Sequence, residues 1–177
     1  MLKSLFRPRP AKAAGQALYA AAAAQARRPG FYREMGVPDR MDTRFELYTL
    51  HVALLLERLR DQGEEAEETA QETLDAYARA LDDVLRDVGV GDLSMSKKMK
   101  KLAGLIRGRI ASLRDALSDD DPAALEGLLG RTAMAEAGED ADSVALADYV
   151  RRAQASLAAQ PLGEILKASP AWPEVVR

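Results

Sequence analysis

The sequence predicts an all-α, single-domain helical bundle of about six to seven helices with a basic N-terminal arm. Three observations carry that expectation. Alanine occurs 33 times in 177 residues, which favours helix over sheet. Apolar residues recur at three- and four-residue steps along most of the chain, the period of a helix with one buried face. Neither an internal repeat nor a strand–helix–strand pattern interrupts them. A chain of this length buries about 70% of the surface its unfolded form exposes, so it needs no metal or disulfide to fold. Cysteine is absent and histidine occurs once, at His51. That excludes disulfides, thiolate nucleophiles and Cys- or multi-His metal centres.

The elements follow in order. Residues 1–30 read as a basic, alanine-rich arm or helix, 31–168 as the helical domain and 169–177 as a tail. An alanine-rich helix is expected over about 11–28, stopped by Pro29-Gly30. A loop then carries Phe31, Tyr32 and residues 35–39. The next helix opens at Asp42 or Thr43, where Thr43 and Glu46 have the spacing of a capping box. Phe45, Tyr48, Val52, Leu55, Leu56 and Leu59 form one apolar face of it, and Leu47, Leu50 and Leu54 a second. A helix apolar on two faces belongs at the centre of a bundle. A third helix spans about 64–88, with acids in its first turns, where the helix dipole favours them. Its stripe is Ala70, Leu74, Tyr77, Leu81, Val84, Leu85 and Val88, and Gly89 stands where a left-handed cap is expected. A fourth helix spans about 94–117, lined by Met95, Met99, Leu102, Ile106, Ile110 and Leu113. Asp121-Pro122 starts a shorter helix to about Ala137, and Asp142 or Ser143 caps another to about Gln160. A last short turn runs from Pro161 to Leu166, and the tail is expected to dock Trp172.

The net charge of −3 hides a segregation. Residues 1–33 hold seven bases and no acid, 61–87 ten acids against two bases, 93–114 seven bases and no acid, and 115–148 ten acids against one base. Two basic faces on an acidic protein are candidate sites for anionic partners. At the N-terminus, Leu2, Leu5 and Phe6 alternate with Lys3, Arg7, Arg9 and Lys12. That pattern suits loose contact with an anionic membrane surface, and its alanines are too weakly apolar for a signal peptide. No apolar run approaches the ~20 residues of a membrane span.

The search for chemistry is mostly negative. Gly89-Val90-Gly91 has no preceding strand, so it is a helix-to-helix linker and not a phosphate loop. The runs Glu64-Glu65, Glu67-Glu68 and Asp119-Asp120-Asp121 lack the inward Glu-x-x-His pattern of a di-metal bundle. His51, on an apolar helix without a second histidine, reads as a hydrogen-bonded core residue. No catalytic, cofactor-binding, metal-binding or small-molecule site is assigned. One feature is out of place. Lys97, Lys98, Lys100 and Lys101 crowd the first turns of the fourth helix, where cations oppose the dipole and Asp92 offsets only part of the charge. With Met95, Met99, Arg107 and Arg109 they make a candidate surface for an anionic partner.

The blocks Gly36-Val37-Pro38-Asp39, Arg44-Phe45-Glu46-Leu47-Tyr48-x-Leu50-His51 and Leu85-Arg86-Asp87-Val88-Gly89-Val90-Gly91-Asp92-Leu93, then Lys97-Lys98-Met99-Lys100-Lys101 and Gly108-Arg109, resemble the ubiquinol–cytochrome c chaperone family. The resemblance covers about residues 31–117. The family often has an aromatic pair before Gly-Arg, where this chain has Ile106-Arg107. The resemblance implies an all-α, non-catalytic chaperone. It would bind newly made cytochrome b before haem insertion and assembly of the cytochrome bc complex. In mitochondrial relatives this happens at the ribosome exit region; in a bacterium it implies a cytoplasmic protein, peripheral at the inner face of the inner membrane. Two other classes fit the residues alone: a ribosome- or nucleic-acid-associated helical protein using residues 93–114, and a bundle enzyme with a site at His51.

Overall fold

A computed structural model describes residues 10–89, 91–138 and 141–176. Its elements are α1 (Pro10–Ala26), α2 (Pro29–Arg33), α3 (Met41–Leu59), α4 (Glu64–Asp87), α5 (Asp92–Ser118), α6 (Pro122–Arg131), α7 (Ser143–Ala159) and α8 (Leu162–Leu166). No strand occurs among the described residues. The all-α bundle is therefore as the periodicity requires.

α3 is the axis of the bundle and touches α1, α4, α5 and α7. Every residue from 49 to 55 is buried, together with Leu47 and Leu59. Its central turns are thus covered all round, while Phe45, Tyr48 and Leu56 of the first face stay half-buried. These four helices each lay one stripe on this axis: Leu18, Ala22 and Ala26 from α1, Tyr77 from α4, Ile106 and Leu113 from α5, and Leu146, Tyr149, Val150 and Leu157 from α7.

α1 is not an arm apart from the body; its small side chains let it lie close against α4. A Cβ on Gly15 would come within 2.6 Å of Glu72 Cβ and 2.7 Å of the Thr73 nitrogen. Four residues further along both helices, the Tyr19 and Tyr77 rings stack at 5.7 Å. The tail also belongs to the packed body. Ala171 N–H donates to Gln160 Oε1 at 2.7 Å, Ser156 Oγ donates to the Ala171 carbonyl at 2.8 Å, and Trp172 meets His51 edge-on at 5.2 Å.

Three boundaries differ from the sequence reading. Pro29 does not only end α1: it is the first residue of α2, where its missing N–H costs nothing and its φ is already helical. α3 starts at Met41, so Thr43 occupies the third helical position and its Oγ1 accepts from Arg40 N–H at 3.2 Å. The same hydroxyl also donates to the Pro38 carbonyl, and Glu46 takes no part in this cap. α6 stops at Arg131 because Thr132 leaves helical geometry, at φ −117 and ψ −91. The turns that follow bury Ala133 and Met134, two good helix formers whose tertiary packing overrides their propensity.

The close approach at Gly15 generates a stability prediction. Gly15→Ala pushes α1 off α4 and should cost about 1–3 kcal/mol, as overpacking does. Gly108→Ala on α5, where an added Cβ meets nothing within 4 Å, should stabilise by up to about 1 kcal/mol. Urea denaturation of both variants checks the contrast; equal effects would contradict the packing.

Candidate functional site

Two groups of polar residues stand out, one inside the bundle and one at its far end. The inner group is centred on His51, which is fully buried. Its Nδ1 lies 2.8 Å from the Leu47 carbonyl and its Nε2 lies 2.8 Å from the Tyr149 hydroxyl. A carbonyl only accepts, so Nδ1 carries the proton and Nε2 accepts from Tyr149 O–H. The Tyr149 oxygen in turn accepts from Gln25 Nε2 at 3.0 Å, and Gln25 also donates to the Pro173 carbonyl at 3.3 Å. Burial lowers the His51 pKa to about 4, and the Leu47 hydrogen bond opposes that shift. Burial likewise raises Tyr149 above its ordinary value, against the Gln25 bond. A neutral imidazole with both nitrogens engaged is a structural junction, and nothing here leaves it free to bind a ligand.

The outer group lies on the hairpin of α4 and α5. Residues 60–63 turn the chain back, so α4 runs antiparallel to α3, and Tyr77 meets Thr49 Oγ1 at 2.8 Å and the Phe45 ring at 6.5 Å. On the other side Arg109 holds Glu46 through two hydrogen bonds of 2.8 Å. One end of α3 is thus level with Tyr77 and Arg109. α3 begins only four residues before Phe45, so the later part of α4 and the earlier part of α5 run past it. Burial agrees. No residue of α4 beyond Tyr77 is buried, and among the described side chains of α5 only Met95 is buried before Ile106.

The overhang carries the four lysines. Lys97, Lys98, Lys100 and Lys101 are all exposed and form no ion pair among the described residues. Arg107 is exposed too, further along α5, and Met99 is half-buried beside them. Other residues of the expected surface are placed differently. Met95 is only 5% exposed, so it is buried and does not face a partner. Arg109 is committed to Glu46, which lifts its pKa further, and Arg114 pairs with one oxygen of Glu57 at 2.7 Å. The Asp92 side chain lies outside the described residues, as do Leu2, Lys3, Leu5, Phe6, Arg7 and Arg9. Lys12 is exposed on α1.

Val84 and Val88 correct the sequence reading, which put them in the buried stripe of α4. They continue that stripe in direction, but they are 46% and 55% exposed because the body of the bundle ends before them. Asp83 and Asp87 flank them, exposed and without an ion pair among the described residues. Sequence reasoning passed over these two acids because an acidic helix face looks solvated; the signal available was their position next to valines in the last turns of a helix.

Residues 33–172 match the family described as ubiquinol–cytochrome C chaperone. The fold is similar to that of the Cbp3 homolog from Brucella abortus, known from its crystal structure, with TM-score 0.86 and 29% sequence identity over 99% of this chain and 98% of the other. No curated protein matches the sequence.

The His51 junction generates a pH prediction. Its folded pKa of about 4 lies below the ordinary 6.5, so unfolding is favoured by protonation. The stability it contributes is fully present above pH 6.5 and drains away as the pH falls towards 4, by up to about 3 kcal/mol. His51→Gln, which keeps a donor and an acceptor, should flatten that part of the stability curve with modest loss at pH 7. His51→Leu should lose about 1–3 kcal/mol at pH 7, because the Tyr149 hydroxyl is left without its acceptor. Denaturation at a series of pH values reads both; an unchanged acid slope in His51→Gln would refute the assignment.

Proposed function

The chain belongs to the ubiquinol–cytochrome c chaperone family, and from that premise we propose that it is a non-catalytic assembly chaperone for the cytochrome bc complex, one that binds newly made cytochrome b. The observation that carries this reading is the extent of the likeness: the family match spans residues 33–172, and the fold match to a Cbp3 homolog spans nearly the whole chain. The inner polar group supports it, since the one histidine is spent on holding helices together. The outer group supplies a surface for the client. Four exposed lysines without an ion pair among the described residues, with Arg107 and half-buried Met99, offer charge to an acidic segment and adaptable apolar contact beside it.

The proposed place of action is the inner face of the inner membrane. No helix of the described residues is long and apolar enough to cross a membrane, so attachment there would be peripheral. The basic N-terminal residues Lys3, Arg7, Arg9 and Lys12 would supply it.

Deleting the gene should lower the level of cytochrome b and the activity of the bc complex, while other respiratory complexes keep theirs. Unchanged cytochrome b in the deletion strain would sink the proposal. Neutralising Lys97, Lys98 and Lys101 to Gln should leave the melting temperature unchanged or raise it, since cations near a helix N-terminus cost about 0.3–1 kcal/mol each. The same variant should recover less cytochrome b in a pull-down; a large loss of fold with undiminished recovery would remove the lysines from the client surface.

A further inference from the structure

The overhang has a property that binding an acidic client does not require: it carries both signs of charge around an apolar centre. Val84 and Val88 lie one turn apart on α4 and extend the face that buries Thr73, Ala76 and Tyr77 nearer the body. Asp83 and Asp87 each precede one of these valines. Asp82 is occupied by Arg86 at 2.8 Å, whereas Asp83 and Asp87 have no ion pair among the described residues. The lysines stand on the neighbouring arm of the same hairpin, equally unpaired. Acids and lysines thus stand on the two arms that a short linker joins, and no ion pair forms between them among the described residues.

We propose that two copies of this chain pair through the overhanging ends of their α4–α5 hairpins. Val84 and Val88 of one copy cover those of the other, and the acids of each α4 face the lysines of the opposite α5. The two hairpins together make a four-helix contact, the usual way for amphipathic helices to close an open apolar face. A two-fold contact uses the same patch twice, so the patch must be complementary to itself in charge. This patch is. An anionic lipid surface or a nucleic acid would draw in the lysines but would also meet Asp83 and Asp87 beside the valines. The second copy is therefore the occupant that satisfies every group in the patch. It also relieves the lysines of their unfavourable place in the first turns of α5. Pairing covers lysines that the client surface uses, so the paired state is the client-free one; that last point alone rests on the chaperone reading.

Sedimentation equilibrium of the full chain, without client, tests the pairing. The mass should rise from one chain to two between micromolar and near-millimolar concentration, and added salt should move the transition to higher concentration. Val84→Asp with Val88→Asp should give one chain throughout, with the helical circular dichroism and melting temperature of the original, because both sites are on the surface. Asp83→Lys with Asp87→Lys, and separately Lys97→Glu with Lys101→Glu, should each weaken pairing by at least about tenfold. Uniting the four reversals in one chain should restore it, an outcome that a merely destabilised fold cannot produce. One-chain mass at every concentration overturns the proposal, as does a two-chain mass indifferent to the valine substitutions. A protein that stays single and floats with phosphatidylglycerol vesicles through the same lysines overturns it in favour of lipid. Pairing by a protein that leaves cytochrome b unbound supports the proposal and counts against the chaperone reading alone.

Discussion

A helix buried on every side has no solvent to satisfy its polar groups, and α3 meets that constraint through His51. The imidazole could not be charged there without large desolvation, so it is neutral and must find one donor and one acceptor. The Leu47 carbonyl and the Tyr149 hydroxyl supply them, and Gln25 satisfies Tyr149 in turn. These contacts join α1, α3 and α7, and Gln25 extends them to Pro173 in the C-terminal tail. Phe31 of α2 closes the ring edge-on to both His51 and Tyr149, at 5.4 and 4.8 Å. Apolar packing sets how tightly the helices meet; this chain of bonds adds a directional constraint on which parts of the sequence meet, because a buried imidazole without its partners is costly.

The other side of α3 is organised by charge. Glu46 and Glu57 are shielded carboxylates on its flank, and Arg109 and Arg114 of α5 close on them. Exposed ion pairs contribute about 0–1 kcal/mol. These two are more sheltered, and the fork between Arg109 and both oxygens of Glu46 fixes the position of α5 along α3 as well as its distance. α5 is therefore rooted by its second half. Its first half has no such anchors and relies on α4, itself without a buried residue beyond Tyr77. The hairpin overhangs because the anchors sit at one end of a long helix.

The axis, the order of helices and most apolar faces were legible in the sequence, since burial follows period and α3 shows two periods at once. The role of His51 was legible as well: one histidine among leucines has few options. Its partners were not, because Tyr149 and Gln25 are distant in sequence and nothing local points to either. Glu46 was misread for a related reason. Its spacing from Thr43 suits a capping box, and the same carboxylate suits an arginine on another helix; only the fold shows that α3 starts early enough to free it for Arg109. Val84 and Val88 show the limit of periodicity itself. The period tells which way a side chain points, and how far the neighbouring helix extends is a separate fact.

The overhang is also where local rules and fold disagree. Lysines oppose the dipole of α5, valines face water on α4, and the two aspartates beside the valines form no ion pair among the described residues. Natural sequences are consistent across levels except where function demands otherwise. A purely structural hairpin would have exchanged the valines for polar residues and moved the lysines towards the end of the helix, at no loss to the core, since neither set touches it. That exposed valines, acids and lysines stay together on one overhanging hairpin argues that this surface is completed by something outside a single chain. Inside the bundle, by contrast, each hydrogen-bonding nitrogen of His51 and the Tyr149 hydroxyl is already paired within the molecule.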